Sequence, residues 1–318
     1  MILHINNAFS YNMLKFIPIN LSEVIMKKLT LILSTLPIFS MACTTFASFN
    51  GVNNSFVIAK NRDNNPDRQV IQVVNEPNKY KYIALSRQHV PDFVSAGVNQ
   101  YNLAVFNEVT IEYSDKAVGG IADDFSKDIL QNYKTVKDVI PNIDKLVHKY
   151  PDPVFYQVTD GKYLLSIEVT PNNTYSYTLT SAGTYAHTNN YQIKSLIKDY
   201  PYTESEKARL AASSTRYDRA SFLMKQNKNL DLTQMQLFAL DRNAGNDDSI
   251  FRTGAVDNNP RTSKSLAFFG VSQDKKGKAA AIINANLYNM SEKYNYTLVP
   301  SFWNQFESTI TILKPNAK

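Results

Sequence analysis

The stretch CTTFASFN (residues 43–50), then GVNN (51–54), then SFVIAKNRD (55–63) governs the reading of this chain. β-Branched and aromatic residues dominate both arms, and a Gly/Asn cluster separates them, which predicts two strands joined by a tight connection. The first residue of the stretch, Cys43, is the only cysteine among 318 residues. What precedes it reads as an export signal. From Met26 the chain runs MKKLTLILSTLPIFSMA, with Lys27 and Lys28 as a positive start, an apolar run over residues 29–39, and Ser40 and Ala42 as small residues before the cut. The apolar run is shorter than the roughly 20 residues a spanning helix needs, and no later segment approaches that length. The expectation is a leader over residues 1–42, with Met26 as the true start. A mature chain would then begin at Cys43 in the periplasm or outside the cell.

Removing 42 of the 318 residues leaves 276, enough for one large domain or two small ones, and residues 43–318 are expected to form one catalytic domain. The leader carries three lysines and one glutamate, so the net charge of +6 falls to about +4. Lys and Arg are spread along the chain rather than clustered, which argues against nucleic-acid binding. A single cysteine forms no internal disulfide, and exported proteins seldom carry a spare thiol, so Cys43 calls for a chemical reason.

Further along, QVIQVVNE, KYKYIALS and YNLAVFNEVTIEY continue the strand pattern. Residues 122–148 switch to helical spacing, interrupted at Pro141. VFYQVTDGKYLLSIEVT predicts a hairpin turning at Asp160-Gly161, followed by a strand over residues 175–179. A long helix is expected over 204–225 and a shorter one over LTQMQLFALDR. SLAFFGVSQDKKGKAAAIINA and YNYTLVPSFW return to strands. This order of elements predicts an α+β fold with sheets and helices in layers.

A thiol becomes a good nucleophile when something takes its proton. An N-terminal cysteine brings its own base, because a free α-amine has a pKa of about 7.7–8. No histidine is then required. His89, His148 and His187 fit no Cys/His protease signature, and His187 reads equally well as a site residue or as a structural histidine. The competing role for Cys43 is lipid attachment. Such sites favour Leu three residues before the cysteine, where this chain has Ser40.

CTTF followed by AKNRD, with Asp63 twenty positions after Cys43, resembles the start of the N-terminal-nucleophile linear amide hydrolases. These include choloylglycine hydrolases, penicillin V acylases and isopenicillin-N acyltransferase-like proteins. GVNQYNLAVFNE (97–108) resembles that group's G-x-N-x-x-G-L-A-V segment. HTNNY (187–191) is similar to its asparagine element, and SSTRYDRASFL (213–223) to its S-S-x-x-R-[FY]-x-R-A block. DDSIFR (247–252) and DGKYLLSIE (160–168) resemble weaker signatures of the acyltransferase-like branch. The resemblance implies a four-layer αββα sandwich of two antiparallel sheets flanked by helices. It implies Cys43 as nucleophile, Asp63 near the amine or thiol, Asn189 as oxyanion donor and Arg216 as the organiser of the cluster. Two positions depart from the pattern. Where bile salt hydrolases carry an arginine three residues before the aspartate, this chain has Lys60, with Arg62 next door, and both are candidates. The asparagine expected just after G-L-A-V is replaced by Val109, which leaves Asn107 as the candidate.

The expected activity is hydrolysis of a linear, non-peptide C–N amide in a small N-acyl substrate, through an acyl-thioester on Cys43. Acyl transfer and a related dipeptidase activity are the neighbouring alternatives, and a lipid-anchored binding protein is the alternative from another class. Tyr82, Phe106, Phe155, Tyr156 and Tyr191 are candidates for an apolar pocket or for the core. Metal-ligand spacing and phosphate-binding glycine loops are missing, so no cofactor is expected. Homo-oligomerisation is implied by the resemblance alone.

Overall fold

The computed structural model describes residues 43–64, 66–112, 121–254 and 263–316. The expected leader, residues 1–42, lies outside them. The described residues belong to one compact unit. Its strands are β1 (Cys43–Ser48), β2 (Ser55–Asn64), β3 (Gln69–Val74), β4 (Tyr82–Arg87), β5 (Ala96–Asn99), β6 (Ala104–Val109), β7 (Val154–Thr159), β8 (Leu164–Val169), β9 (Tyr175–Thr180), β10 (Thr184–His187), β11 (Lys264–Asp274), β12 (Ile282–Leu287), β13 (Glu292–Thr297) and β14 (Ile310–Ile312). Its α-helices are α1 (Ile121–Asn132), α2 (Val136–Val139), α3 (Ile143–Lys149), α4 (Glu204–Gln226), α5 (Leu232–Ala239), α6 (Gly245–Asp248) and α7 (Pro300–Asn304).

The strands form two antiparallel sheets. One has the order β10-β1-β2-β11-β12-β13 and the other β14-β3-β4-β5-β6-β7-β8-β9. Because side chains alternate across a strand, each central strand supplies two cores. Ala47, Ile58, Phe269 and Val271 from the first sheet meet Ile71, Ile83, Leu85, Val98 and Phe106 from the second in the middle layer. Tyr82, Val105, Tyr156 and Ile167 turn outward beneath α1, α2 and α3, against Phe125, Ile129, Val139 and Leu146. Phe46, Val57, Ala59 and Phe268 face outward on the other side, beneath α4 and α5, against Ala220, Met224, Met235 and Phe238. Helix, sheet, sheet, helix is the expected αββα order. Strands buried on both faces explain why many here read as apolar runs rather than clean alternation.

The helix ends follow their sequences. Thr203 accepts from the Glu206 N–H while the Glu206 carboxylate accepts from the Thr203 N–H, a reciprocal cap that starts α4. Thr135 and Asp138 do the same for α2. Pro141 sits in a 3-10 turn between α2 and α3, where its missing N–H does no harm. The β7–β8 turn lies at Asp160-Gly161 as expected, with Gly161 at φ +80°. Three elements differ from expectation. In the stretch 101–113 the described residues hold only the strand β6, because the chain first turns back after β5 through Asn102 at φ +66°. Residues 300–304 form α7 rather than a strand, with Pro300 opening a helix that buries Phe302 and Trp303. Strand β10, too short to show a period, appears only through its pairing with β1.

Gly97 on β5 has no room for a side chain: a Cβ there would lie 2.8 Å from the Ile83 carbonyl oxygen and 2.8 Å from Leu130 Cδ1 on α1. Gly97→Ala is expected to destabilise the fold by about 1–3 kcal/mol. Urea denaturation would measure this, and an unchanged midpoint would contradict the close sheet–helix packing.

Candidate active site

Cys43 begins β1 and is only 3% exposed. Antiparallel pairing sets Cys43 opposite Arg62, Thr44 opposite Asn61 and Thr45 opposite Lys60, while on the other edge of β1 Thr45 faces His187. The loop after β10 carries Thr188 and Asn189 back toward the head of β1. The Cys43 backbone N–H donates to Asn189 Oδ1 at 3.1 Å. Arg216 Nη2 donates to the same oxygen, also at 3.1 Å. Two donors on one atom fix which end of the amide is oxygen. Asn189 Nδ2 then donates to the Val109 carbonyl at 2.7 Å, which leaves its second hydrogen for another acceptor. Ser213 on α4 secures the loop by accepting from the Asn189 N–H at 3.0 Å.

Asp63, near the end of β2, contributes in two ways. Its backbone carbonyl is 4.0 Å from the Cys43 sulfur. Its carboxylate points elsewhere, accepting at Oδ1 from the Ser265 hydroxyl at 2.6 Å and from Asn61 Nδ2 at 2.9 Å. Burial pushes this carboxyl up to about 6, against the pull of Arg252, the Ser265 hydroxyl, Arg216 and Arg62. Burial likewise pulls the Arg216 guanidinium down to about 10. Like-charge repulsion from Arg252 acts in the same direction, while Asp63 and Cys43 oppose it.

Lys60 and Arg62 both reach toward the second sheet. The Lys60 ammonium donates to the Ser95 hydroxyl at 2.9 Å, to the Ser95 carbonyl and to the Asn107 carbonyl. Arg62 donates to Gln69 Oε1 at 2.8 Å and to the same Ser95 hydroxyl at 3.0 Å, with its guanidinium 4.5 Å from the centre of the Phe93 ring. Register therefore makes Arg62, rather than Lys60, the direct cross-strand neighbour of Cys43. Asn107 is engaged away from Cys43: its Nδ2 donates to the Val94 carbonyl at 2.6 Å and to Ser126 on α1 at 3.0 Å.

His187 is fully buried between two glutamates. Its Nδ1 lies 2.8 Å from Glu108 on β6 and its Nε2 3.4 Å from Glu168 on β8. Glu168 also accepts the Gln192 and Ile193 N–H groups, so one carboxylate ties the imidazole to the end of the asparagine loop. Burial disfavours the imidazolium, but the two glutamates outweigh it and raise His187 to about 9. Of the aromatic candidates, Tyr82, Phe106 and Tyr156 belong to the cores. Phe155 packs edge-on against both His187 and Tyr191.

Cys43, Asp63, Asn189 and Arg216 thus come together from β1, β2, the post-β10 loop and α4. Sequence reading did not assign roles to Arg252, Ser265, Ser213, Glu108 and Glu168. Four of these stand inside stretches already singled out, 97–108, 160–168, 213–223 and 247–252. Ser265 carried no signal, because its role depends on β11 pairing beside β2. Among the described residues no His/Cys/Asp/Glu group could hold a metal ion, and no helix is long and apolar enough to cross a membrane.

The four-layer αββα sandwich and the family match together mark an enzyme of the N-terminal-nucleophile type, an amide hydrolase or acyltransferase. The chain belongs to the acyl-coenzyme A:6-aminopenicillanic acid acyl-transferase family, whose model matches residues 49–287. It is similar in fold to a mutant conjugated bile acid hydrolase from Clostridium perfringens, with TM-score 0.54 and 12% identity over 86% of this chain and 97% of that one. Penicillin V acylase from Agrobacterium tumefaciens is similar at TM-score 0.52 and 14% identity, over 81% of this chain and 89% of that one. No curated protein sequence matches the chain.

His187 supplies a pH test. A raised histidine contributes stability that is complete below its unfolded pKa of about 6.5 and is lost as pH rises through about 9. Wild-type unfolding free energy should fall by about 3 kcal/mol across that window. His187→Gln should be less stable at pH 6 and show a flatter profile. Denaturant titrations from pH 6 to 10 would check this, and parallel profiles would contradict a charged His187.

Proposed function

We propose that Cys43, freed as an N-terminal residue by cleavage after Ala42, is the nucleophile of an exported amidase acting on a linear N-acyl amide. The observation that carries this reading is the convergence of the Cys43 N–H and Arg216 on Asn189 Oδ1. It supports a role for the nitrogen of Cys43 in the chemistry, since a buried polar asparagine and arginine are arranged around it. Once free, the α-amine donates one N–H to Asn189 and keeps its lone pair for the thiol proton.

The steps balance as follows. The amine takes the thiol proton, and the thiolate attacks the amide carbonyl. The second Nδ2 hydrogen of Asn189 stabilises the oxyanion, a contact worth about 3–4 kcal/mol of barrier. The tetrahedral centre collapses by breaking the C–N bond, and the α-ammonium passes its proton to the departing amine. Water then gives a proton to the α-amine and attacks the thioester, releasing the carboxylic acid and restoring the thiol. The Arg216 guanidinium keeps the amide turned for this work, and Asp63 with Ser265 balances the guanidinium.

Family membership favours a second reading for the last step. If an amine rather than water meets the thioester, the product is a new amide and the enzyme is an acyltransferase. The site's burial supports that alternative by restricting water. The proposed location, periplasmic or extracellular, follows from the leader reading.

Cys43→Ala should abolish turnover of N-acyl substrates without unfolding the protein, and Asn189→Ala should lower kcat by about 10²–10³-fold. Intact mass of the exported protein should show a chain starting at unmodified Cys43. A lipid adduct on Cys43, or full activity in the alanine variant, would refute the proposal.

A further inference from the structure

Glu112 is fully buried, and neither of its carboxylate oxygens has a hydrogen-bond partner among the described residues. An uncompensated buried carboxylate is among the least favourable arrangements a fold can hold. Its surroundings are equally incomplete. The Tyr202 hydroxyl faces Glu112 and the Thr110 hydroxyl faces Tyr191, each without closing a hydrogen bond of good geometry. Tyr191 feels the Glu112 charge but commits its own hydroxyl to the Val169 carbonyl at 2.9 Å.

This cluster adjoins the Cys43 site. Thr110 follows Val109, whose carbonyl accepts Asn189 Nδ2, and Tyr191 stands two residues beyond Asn189. Tyr202 comes from the segment leading into α4, which carries Arg216. One end of the asparagine amide therefore meets the nucleophile, and the other meets the strand end that leads to Glu112.

The donors and acceptors indicate the ligand. Two carboxylate oxygens and one or two hydroxyl oxygens offer acceptors for three or four hydrogens, and one negative charge calls for one positive charge. A primary ammonium supplies three N–H donors and that charge. A divalent metal would want more anionic ligands, and no such group occurs among the described residues. We propose that Glu112, with Thr110 and Tyr202, binds a primary ammonium group carried by the substrate beside its scissile amide. This rests on the amide-cleaving reading of Cys43 and narrows it to N-acyl amides bearing a cationic amine.

Binding can be read without catalysis, which separates failure of this site from failure of the amidase reading. Thermal unfolding of the Cys43→Ala protein would be followed with n-hexylammonium chloride and with 1-hexanol. The ammonium should raise Tm by several degrees in a saturable manner, and hexanol at the same concentration should not. Adding Glu112→Gln should remove at least nine-tenths of the ammonium response. Equal responses to the two ligands, or an ammonium response that survives Glu112→Gln, would overturn the proposal. Should the Gln variant fail to fold, Tyr202→Phe reads the same contact: a response at least several-fold weaker supports it, and an unchanged one overturns it. With active enzyme, the ratio of kcat/KM for an aminoalkyl amide over its uncharged isostere should fall at least thirty-fold in Glu112→Gln. An unaltered ratio would overturn the assignment.

Discussion

One amide oxygen, Asn189 Oδ1, receives both the backbone N–H of Cys43 and the guanidinium of Arg216, and the geometry around Cys43 depends on that atom. The oxygen stays in place only if its loop does. Three separate elements hold that loop: Ser213 on α4 takes the Asn189 N–H, Glu168 on β8 takes the Gln192 and Ile193 N–H groups, and β1 pairs with His187. A short irregular segment thereby gains the fixity of the strands and helix around it. Preorganisation of this kind lets a weak donor or acceptor matter in a reaction, since nothing has to reorient when charge develops.

Much of the remaining site follows from burying charge. Arg216, Arg62, Lys60, Asp63, Glu108, Glu168 and His187 are all nearly or wholly excluded from solvent. None of these ions could stay charged there alone, so they are distributed in mutually supporting groups. Ser95 illustrates how tightly: its single hydroxyl accepts from both Lys60 and Arg62, joining β2 of one sheet to the start of β5 in the other. Lys60 occupies the position where the related hydrolases carry arginine, yet Arg62 faces Cys43 across the pair. The cationic residue opposite Cys43 on β2 is thus Arg62, one pleat along the strand from Lys60.

The fold was largely legible because its main signals are local. The hairpin at Asp160-Gly161, the capped start of α4 and the opening strand pair are written in neighbouring residues. That Cys43, Asp63, Asn189 and Arg216 lie near one another was foreseen for a different reason: each sits in a motif whose spacing is distinctive, though their roles are a proposal. What escaped was set by pairing between distant segments. β10 has four residues and no readable period, and it exists because β1 offers it an edge. Ser265 reaches Asp63 only because β11 lies against β2, more than 200 residues away in the chain. His187 looked the same as a core histidine or a site histidine, since its meaning depends on Glu108 and Glu168 arriving from the other sheet. α7 was misread because aromatic residues suit strands and helix ends alike, and Pro300 decided in favour of the helix.

The position of β1 inside its sheet also bears on how a chain beginning at Cys43 would resist trimming. An aminopeptidase must draw several terminal residues into its own cleft in extended form. Here Cys43 is paired to β2 from the outset, and from Thr45 onward the strand is paired on both edges. Trimming even one residue would require unzipping an interior strand of a six-stranded sheet. If the chain starts at Cys43, the residue it can least afford to lose is also the one exopeptidases would find hardest to remove.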